Sequence, residues 1–269
     1  MLRSPIHRES TTVPMRQKSL VRPRLRWSLW AQWTGANALA EALGLGGTLL
    51  IGVSLFVRME PLAGPALTAL LAIVLGACVE GGIVGTAQWL VMRQALSELT
   101  WRTWAVATAI GAGIAWSLGM LPNMLLALVA PSGAAGNDSA PLAQEPSGWA
   151  LYAAAAALGL LAGAILAVAQ WRVLRQHVPR AGWWLPANAC AWAVGMALIF
   201  VGTGFIPASG LTLGSAFLLI TCVIAEGAAV GAIHGIALIW LLRERDLVGY
   251  SSRSTVVRGE SLGEIGALQ

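Results

Sequence analysis

Two eight-residue segments, AQWLVMRQ at residues 87–94 and AQWRVLRQ at residues 169–176, are near copies of one another at matching ends of two long apolar stretches. One ungapped offset carries Gly81 onto Gly163, Ile83 onto Ile165, Gln88 onto Gln170, Trp89 onto Trp171, Arg93 onto Arg175 and Trp101 onto Trp183. A third, more diverged copy aligns Glu80-Gly81 with Glu226-Gly227 and Gly85 with Gly231, and places His234 where Gln88 and Gln170 stand. Its interval is shorter because the long connection at residues 131–148 lengthens only the earlier one. Trp33 and Asn37 likewise fall on Trp184 and Asn188. The expected architecture is three helical hairpins inserted in the same sense, related by an axis along the membrane normal.

The solvent of these hairpins follows from composition. The chain is 57% hydrophobic and 11% charged, with a mean hydropathy of +0.71, too few polar groups to cover a water-soluble globule. A bilayer core about 30 Å thick needs about 20 apolar helical residues per crossing. Six stretches meet that need, at residues 36–57, 66–92, 104–130, 149–174, 184–204 and 213–242. Ala, Gly and Leu dominate them without the alternation of barrel strands. The expected fold is therefore all-α, a polytopic bundle of six transmembrane helices arranged as three parallel helical-hairpin repeats. Residues 1–35 read as a basic tail with an interfacial anchor, 36–243 as the transmembrane domain and 244–269 as a polar C-terminal tail. The first apolar segment is longer than a signal-peptide core and has no small-residue cleavage site after it, so it is expected to remain.

Lys and Arg segregate to one side of the six spans: the first 26 residues, then Arg93 and Arg102, Arg172, Arg175 and Arg180, and the residues from Arg243 onward. The opposite loops carry only Arg58. The positive-inside bias then places both termini in the cytoplasm. This distribution accounts for a pI near 9.9 without a recognition motif for nucleic acid, which is not an expected partner. Arg22-Pro-Arg-Leu-Arg-Trp27, with Trp30 and Trp33 after it, suits a segment lying along anionic headgroups, or docking on an acidic partner. Trp89, Trp101, Trp104, Trp171, Trp183 and Trp184 gather at the same helix ends and read as an aromatic belt. Trp89 with Arg93 and Trp171 with Arg175 are lipid-headgroup candidates.

The Gln-Trp segments, each followed by tryptophans and an Ala-Gly helix, resemble uncharacterised bacterial multi-pass membrane proteins with repeated Gln-Trp-x-x-Leu-Arg motifs. The resemblance spans residues 71–243; the third copy departs from it, with His234-Gly235 in place of Gln-Trp. It implies a bacterial cytoplasmic (inner) membrane protein and carries no assigned activity. The steps Gly81 to Gly85, Gly159 to Gly163 and Gly227 to Gly231 permit close helix approach, which makes the even-numbered helices candidates for an inner packing layer.

Ionisable residues within spans are costly and each calls for an account. Glu80 and Glu226 occupy equivalent positions near mid-span, Ala162 standing at the third, while Glu41 is expected nearer the cytoplasmic side. Eight helical residues rotate by roughly 800°, so Glu80 and Gln88, like Glu226 and His234, lie within about 80° of each other. If the even helices face one another, a carboxyl pair lies beneath a ring of Gln88, Gln170 and His234. Such groups serve either as hydrogen-bonding glue between helices or as a path for protons or a site for a polar headgroup. His234 is also a candidate axial ligand for a haem or pigment, with no second ligand evident. Cys78, Cys190 and Cys222 read as small packing residues without metal spacing. No HExxH, G-x-S-x-G or P-loop motif is present, so no catalytic residue or metal site is expected, and the sequence assigns no cofactor beyond the His234 candidacy. The leading expectation is a non-catalytic membrane subunit that packs with a larger complex or organises lipid around it. The alternatives are a small-solute or proton transporter using Glu80, Glu226 and His234, and a pigment or haem carrier through His234.

Overall fold

A computed structural model of the chain describes residues 23–129, 148–207 and 212–266, and within them the side chains of all but residues 23–26, 52–63, 65, 121–129 and 248–266. The basic segment at residues 1–22 and most of the connection at 131–148 lie outside the described residues. Ala and Leu, the strongest helix formers, set the local structure. The elements are α1 (Pro23–Leu43), α2 (Leu45–Leu75), a π-helical turn (Gly76–Glu80), α3 (Gly81–Met92), α4 (Trp101–Val129), α5 (Trp149–Leu174), a 3₁₀ turn (Ala181–Trp183), α6 (Trp184–Thr203) and α7 (Leu213–Gly266). No strand occurs among the described residues.

Among the described residues, five helical stretches are long and apolar enough to cross a membrane: Ala66–Met92, Trp101–Met120, Trp149–Leu174, Ala181–Thr203 and Leu213–Leu247. They correspond to the second through sixth expected spans. The first expected span, residues 36–57, is instead divided between α1 and α2 at Gly44. A Cβ there would meet the Ala40 carbonyl and the Cα of Glu80, so a bare backbone is needed where the two segments cross. At Gly64 the φ of 74° turns α2 back on itself before Pro65, a conformation glycine adopts freely. The limb before Gly64 continues helix one, and the limb after it runs through the π turn and α3 as helix two. At the far end of the chain, α7 continues through the polar C-terminal segment to Gly266.

The helices close on themselves. In contact order they run α1, α3, α4, α5, α6, α7 and back to α1. The glycine steps lie between consecutive helices of this ring rather than at its centre. A Cβ on Gly81 or Gly85 would strike Ala109 or Ala105 of α4, one on Gly159 or Gly163 would strike Trp192 or Asn188 of α6, and one on Gly227 or Gly231 would strike Asn37 or Thr34 of α1. Each even helix therefore uses its small-residue face against an odd helix, in place of the expected layer of even helices on one another.

The end of the bundle that carries Arg93 is closed by Leu96, Leu99, Val178 and Ala181, packed on Trp33, Trp104 and Trp184. Those three tryptophans are fully buried, which corrects their expected place in an interfacial segment or belt: their indoles fill the core at that end of the ring. Trp101 and Trp183 do stand exposed. Cys78 and Cys190 are exposed as well, so they are not the packing residues expected, and all three cysteines are free.

Candidate functional site

The buried tryptophans organise the polar core. Trp33 on α1 donates its indole N–H to His234 Nδ1 on α7 at 2.8 Å. Trp104 on α4 donates to Gln88 Oε1 on α3 at 3.1 Å, and Trp184 on α6 donates to Gln170 Oε1 on α5 at 2.9 Å. One turn on from each tryptophan a polar side chain donates back to its carbonyl: Asn37 to Trp33, Thr108 to Trp104 and Asn188 to Trp184. The amides continue the network. Gln88 donates to Asn37 Oδ1 at 2.9 Å, while Gln170 donates to Thr108 Oγ1 at 3.0 Å and to Gln88 Oε1 at 3.3 Å. His234 accepts at Nδ1, so its ring proton sits on Nε2. Its ring centroid lies 5.4 Å from those of both Trp33 and Trp184.

Gln88, Gln170 and His234 are thus buried in one layer and bridged by tryptophans. Toward the end of the bundle that carries Gly64 lie the three glutamates. Glu41, Glu80 and Glu226 are 1%, 6% and 0% exposed, and each is within electrostatic range of the other two. The expected separation of Glu41 from the other pair is corrected: a Cβ on Gly227 would touch the Cβ of Glu41, which sets Glu41 directly beside Glu226. Glu80 accepts from the indole of Trp116 at 2.9 Å, and Gly76 in the π turn leaves the room in which that ring lies.

A cavity of about 20 Å³ lies between the two layers, lined by Asn37, Glu41, Glu80, Gln88, Gln170 and His234 among others. That is room for a single water. Glu41 Oε2, both Glu226 carboxyl oxygens, Thr34 Oγ1 and Thr48 Oγ1 are buried without a hydrogen-bond partner. Each such atom costs about 1–3 kcal/mol if nothing bonds it. No group of three His, Cys, Asp or Glu is placed to hold a metal among the described residues.

At the surface, the guanidinium of Arg93 lies 4.9 Å from the Trp89 ring and that of Arg175 lies 5.2 Å from the Trp171 ring, equivalent stackings on α3 and α5. The Trp89 indole is also tied to the Leu99 carbonyl at 2.8 Å.

Sequence reasoning located the amides and carboxyls but missed Thr34, Thr48, Thr108 and Trp116. The spacing of Thr34, Glu41 and Thr48 at successive sevens was the legible signal for two of them.

Fold and site together define a helical bundle with, among the described residues, five membrane-length helices around a polar core that is hydrogen-bonded across the ring. In comparisons with protein-family models, curated proteins and solved structures, the chain matched none.

Proposed function

We propose that this protein is a non-catalytic integral membrane subunit of the bacterial cytoplasmic membrane, built as three parallel hairpin repeats with both termini cytoplasmic. It packs beside a larger membrane complex or orders lipid around itself. The observation that carries this reading is the core: its indole and amide groups bond to one another from helix to helix and enclose about 20 Å³. That space takes a water, not a solute.

Further support comes from the outer faces. Leu39, Val106, Ile110, Leu160, Leu161, Phe217 and Ile236 are exposed apolar side chains along the helices, suited to acyl chains or to another membrane helix. The stacked Trp89–Arg93 and Trp171–Arg175 pairs present cations at one end of the bundle, where phosphate headgroups would meet them. Haem binding at His234 is not part of this reading, because Trp33 occupies Nδ1 and the adjoining cavity is far smaller than a macrocycle.

Native mass spectrometry of the full chain, purified in a mild lipid-preserving detergent, tests the reading. A copurifying membrane subunit or retained anionic lipid in fixed stoichiometry is expected. A monodisperse chain free of both would overturn it.

A further inference from the structure

Two carboxyl residues line the small cavity in the core, Glu41 from α1 and Glu80 from the π turn, and no Lys or Arg lines it with them. Buried charges are held where a protein cation pairs with them or a metal ion is bound by them. The packing does not require an acid at this level: the positions matching Glu41 in the sequence are Ala112 and Trp192, which line the same cavity. Glu226 is a separate case, because its carboxyl lies against Gly195 of α6 and not in the cavity wall.

Oxygen atoms around the cavity are left over once the core has made its own hydrogen bonds. Glu41 is 1% exposed, and its Oε2 has no hydrogen-bond partner. Glu80 accepts the Trp116 indole at Oε2, and none of the described hydrogen bonds reaches its Oε1. Asn188 donates to the Trp184 carbonyl. Its Oδ1 receives no amide, unlike that of the matching Asn37, because Gln170 turns instead to Thr108 and Gln88.

The backbone is irregular where these carboxyl residues stand. Gly44 divides α1 from α2 within one turn of Glu41, and the π turn ends on Glu80, with Gly81 N–H bonded to the Gly76 carbonyl. A Cβ on Gly44 would lie 3.0 Å from the Glu80 Cα, so the two irregularities meet. Interrupted helices at membrane depth are tolerated where they are buried in protein or line a cavity, and π turns recur at functional sites. Interrupted helices also frame sodium sites in membrane proteins.

We propose that the cavity is a sodium-binding site, in which one dehydrated sodium ion is held by carboxylate oxygens of Glu41 and Glu80 and by Asn188 Oδ1. A bare sodium ion needs about the room of the single water that the cavity admits. Calcium takes about six to eight oxygens and magnesium keeps several of its waters, so neither suits so small a space. No three His, Cys, Asp or Glu are grouped for a transition metal among the described residues. Sodium binding goes beyond the subunit role and does not rest on it.

The test uses the purified full chain in mild detergent and choline chloride at fixed pH, with NaCl or KCl replacing choline at constant ionic strength. Tm, followed by tryptophan emission, should rise by several degrees and saturate in NaCl but not in KCl. Radioactive sodium should bind at about one ion per chain and be displaced by NaCl, not by KCl. Glu41→Gln should abolish both responses, and Glu80→Gln should raise the half-saturating sodium concentration about ten-fold, since affinity follows the charge of the ligands. Glu226→Gln, away from the cavity, and Glu98→Gln, in an exposed loop, should keep the sodium response. Size-exclusion profile and helical circular dichroism establish that each variant is folded, and if Glu41→Gln fails that check, Glu80→Gln carries the decision. A natural chain that responds alike to NaCl, KCl and choline chloride and binds no radioactive sodium overturns the proposal. So does a sodium response unchanged in folded Glu41→Gln or Glu80→Gln, or one abolished in folded Glu226→Gln.

Discussion

Gln170 shows how much a single side chain is asked to do in this core. It accepts the Trp184 indole and donates to both Thr108 and Gln88, joining α4, α5, α6 and α3. Replacing it with Leu keeps the bulk but leaves an indole N–H with no acceptor, so Gln170→Leu should lower stability by about 1–3 kcal/mol in detergent unfolding. Adding Trp184→Phe removes the orphaned donor, and the double variant should therefore lose less than the sum of the two single changes. Strict additivity would show that the bond is not an energetic link. At this scale the sequence was half legible. Alignment brought Gln88, Gln170 and His234 to one level because amide and imidazole recur at one repeat position. The tryptophans they bond were read as interfacial because aromatics beside arginines look the same whether they face headgroups or the core. Only packing separates Trp104 and Trp184, both fully buried, from Trp101 and Trp183, which are exposed.

Helix-to-helix contact depends on where a Cβ is forbidden. At Gly159 a methyl group would press into the Trp192 backbone carbonyl, and α5 and α6 would have to separate. Gly159→Ala should therefore cost about 1–3 kcal/mol through overpacking. Gly82 is also helical but has nothing within reach of an added methyl. Gly82→Ala should stabilise by up to about 1 kcal/mol, since Ala is the better helix former. Opposite signs in parallel unfolding measurements check the contact map; losses at both positions would refute it. Glycine spacing marked the close approaches in the sequence, but it does not say which helix approaches. The division of helix one at Gly44 escaped notice for a related reason. Its cause is the nearness of Glu80, a residue far along the chain, and no local pattern records that crossing.

In the molecule as a whole, the ring of helices has one seam without a covalent link. Residues 93–100 join α3 to α4 and residues 175–183 join α5 to α6, both at the same end of the bundle, while α7 and α1 pack together with no connection between them. The same type of bond bridges all three pairs: an indole on α4, α6 or α1 donates to a side chain on α3, α5 or α7. The α1–α7 pair is further fastened by the Trp30 indole, which donates to the Ala232 carbonyl at 3.0 Å. Packing of this kind makes the position of the chain ends incidental to the fold. A circular permutant that joins residue 247 to residue 27 through a short polar linker and opens between Ser97 and Glu98 should fold, because it exchanges one surface connection for another and keeps every described side-chain contact between helices. A permutant opened between Gly163 and Ala164 breaks α5 where it lies on α6, and should not fold. Size-exclusion profile and tryptophan emission distinguish the outcomes: native-like emission from the first and aggregation of the second are expected. Aggregation of the first would mean that the loop at 93–100 holds α3 and α4 together. The indole and glycine contacts alone would then be too weak to close the ring, and the α1–α7 seam would depend on interactions with no counterpart in the other two pairs.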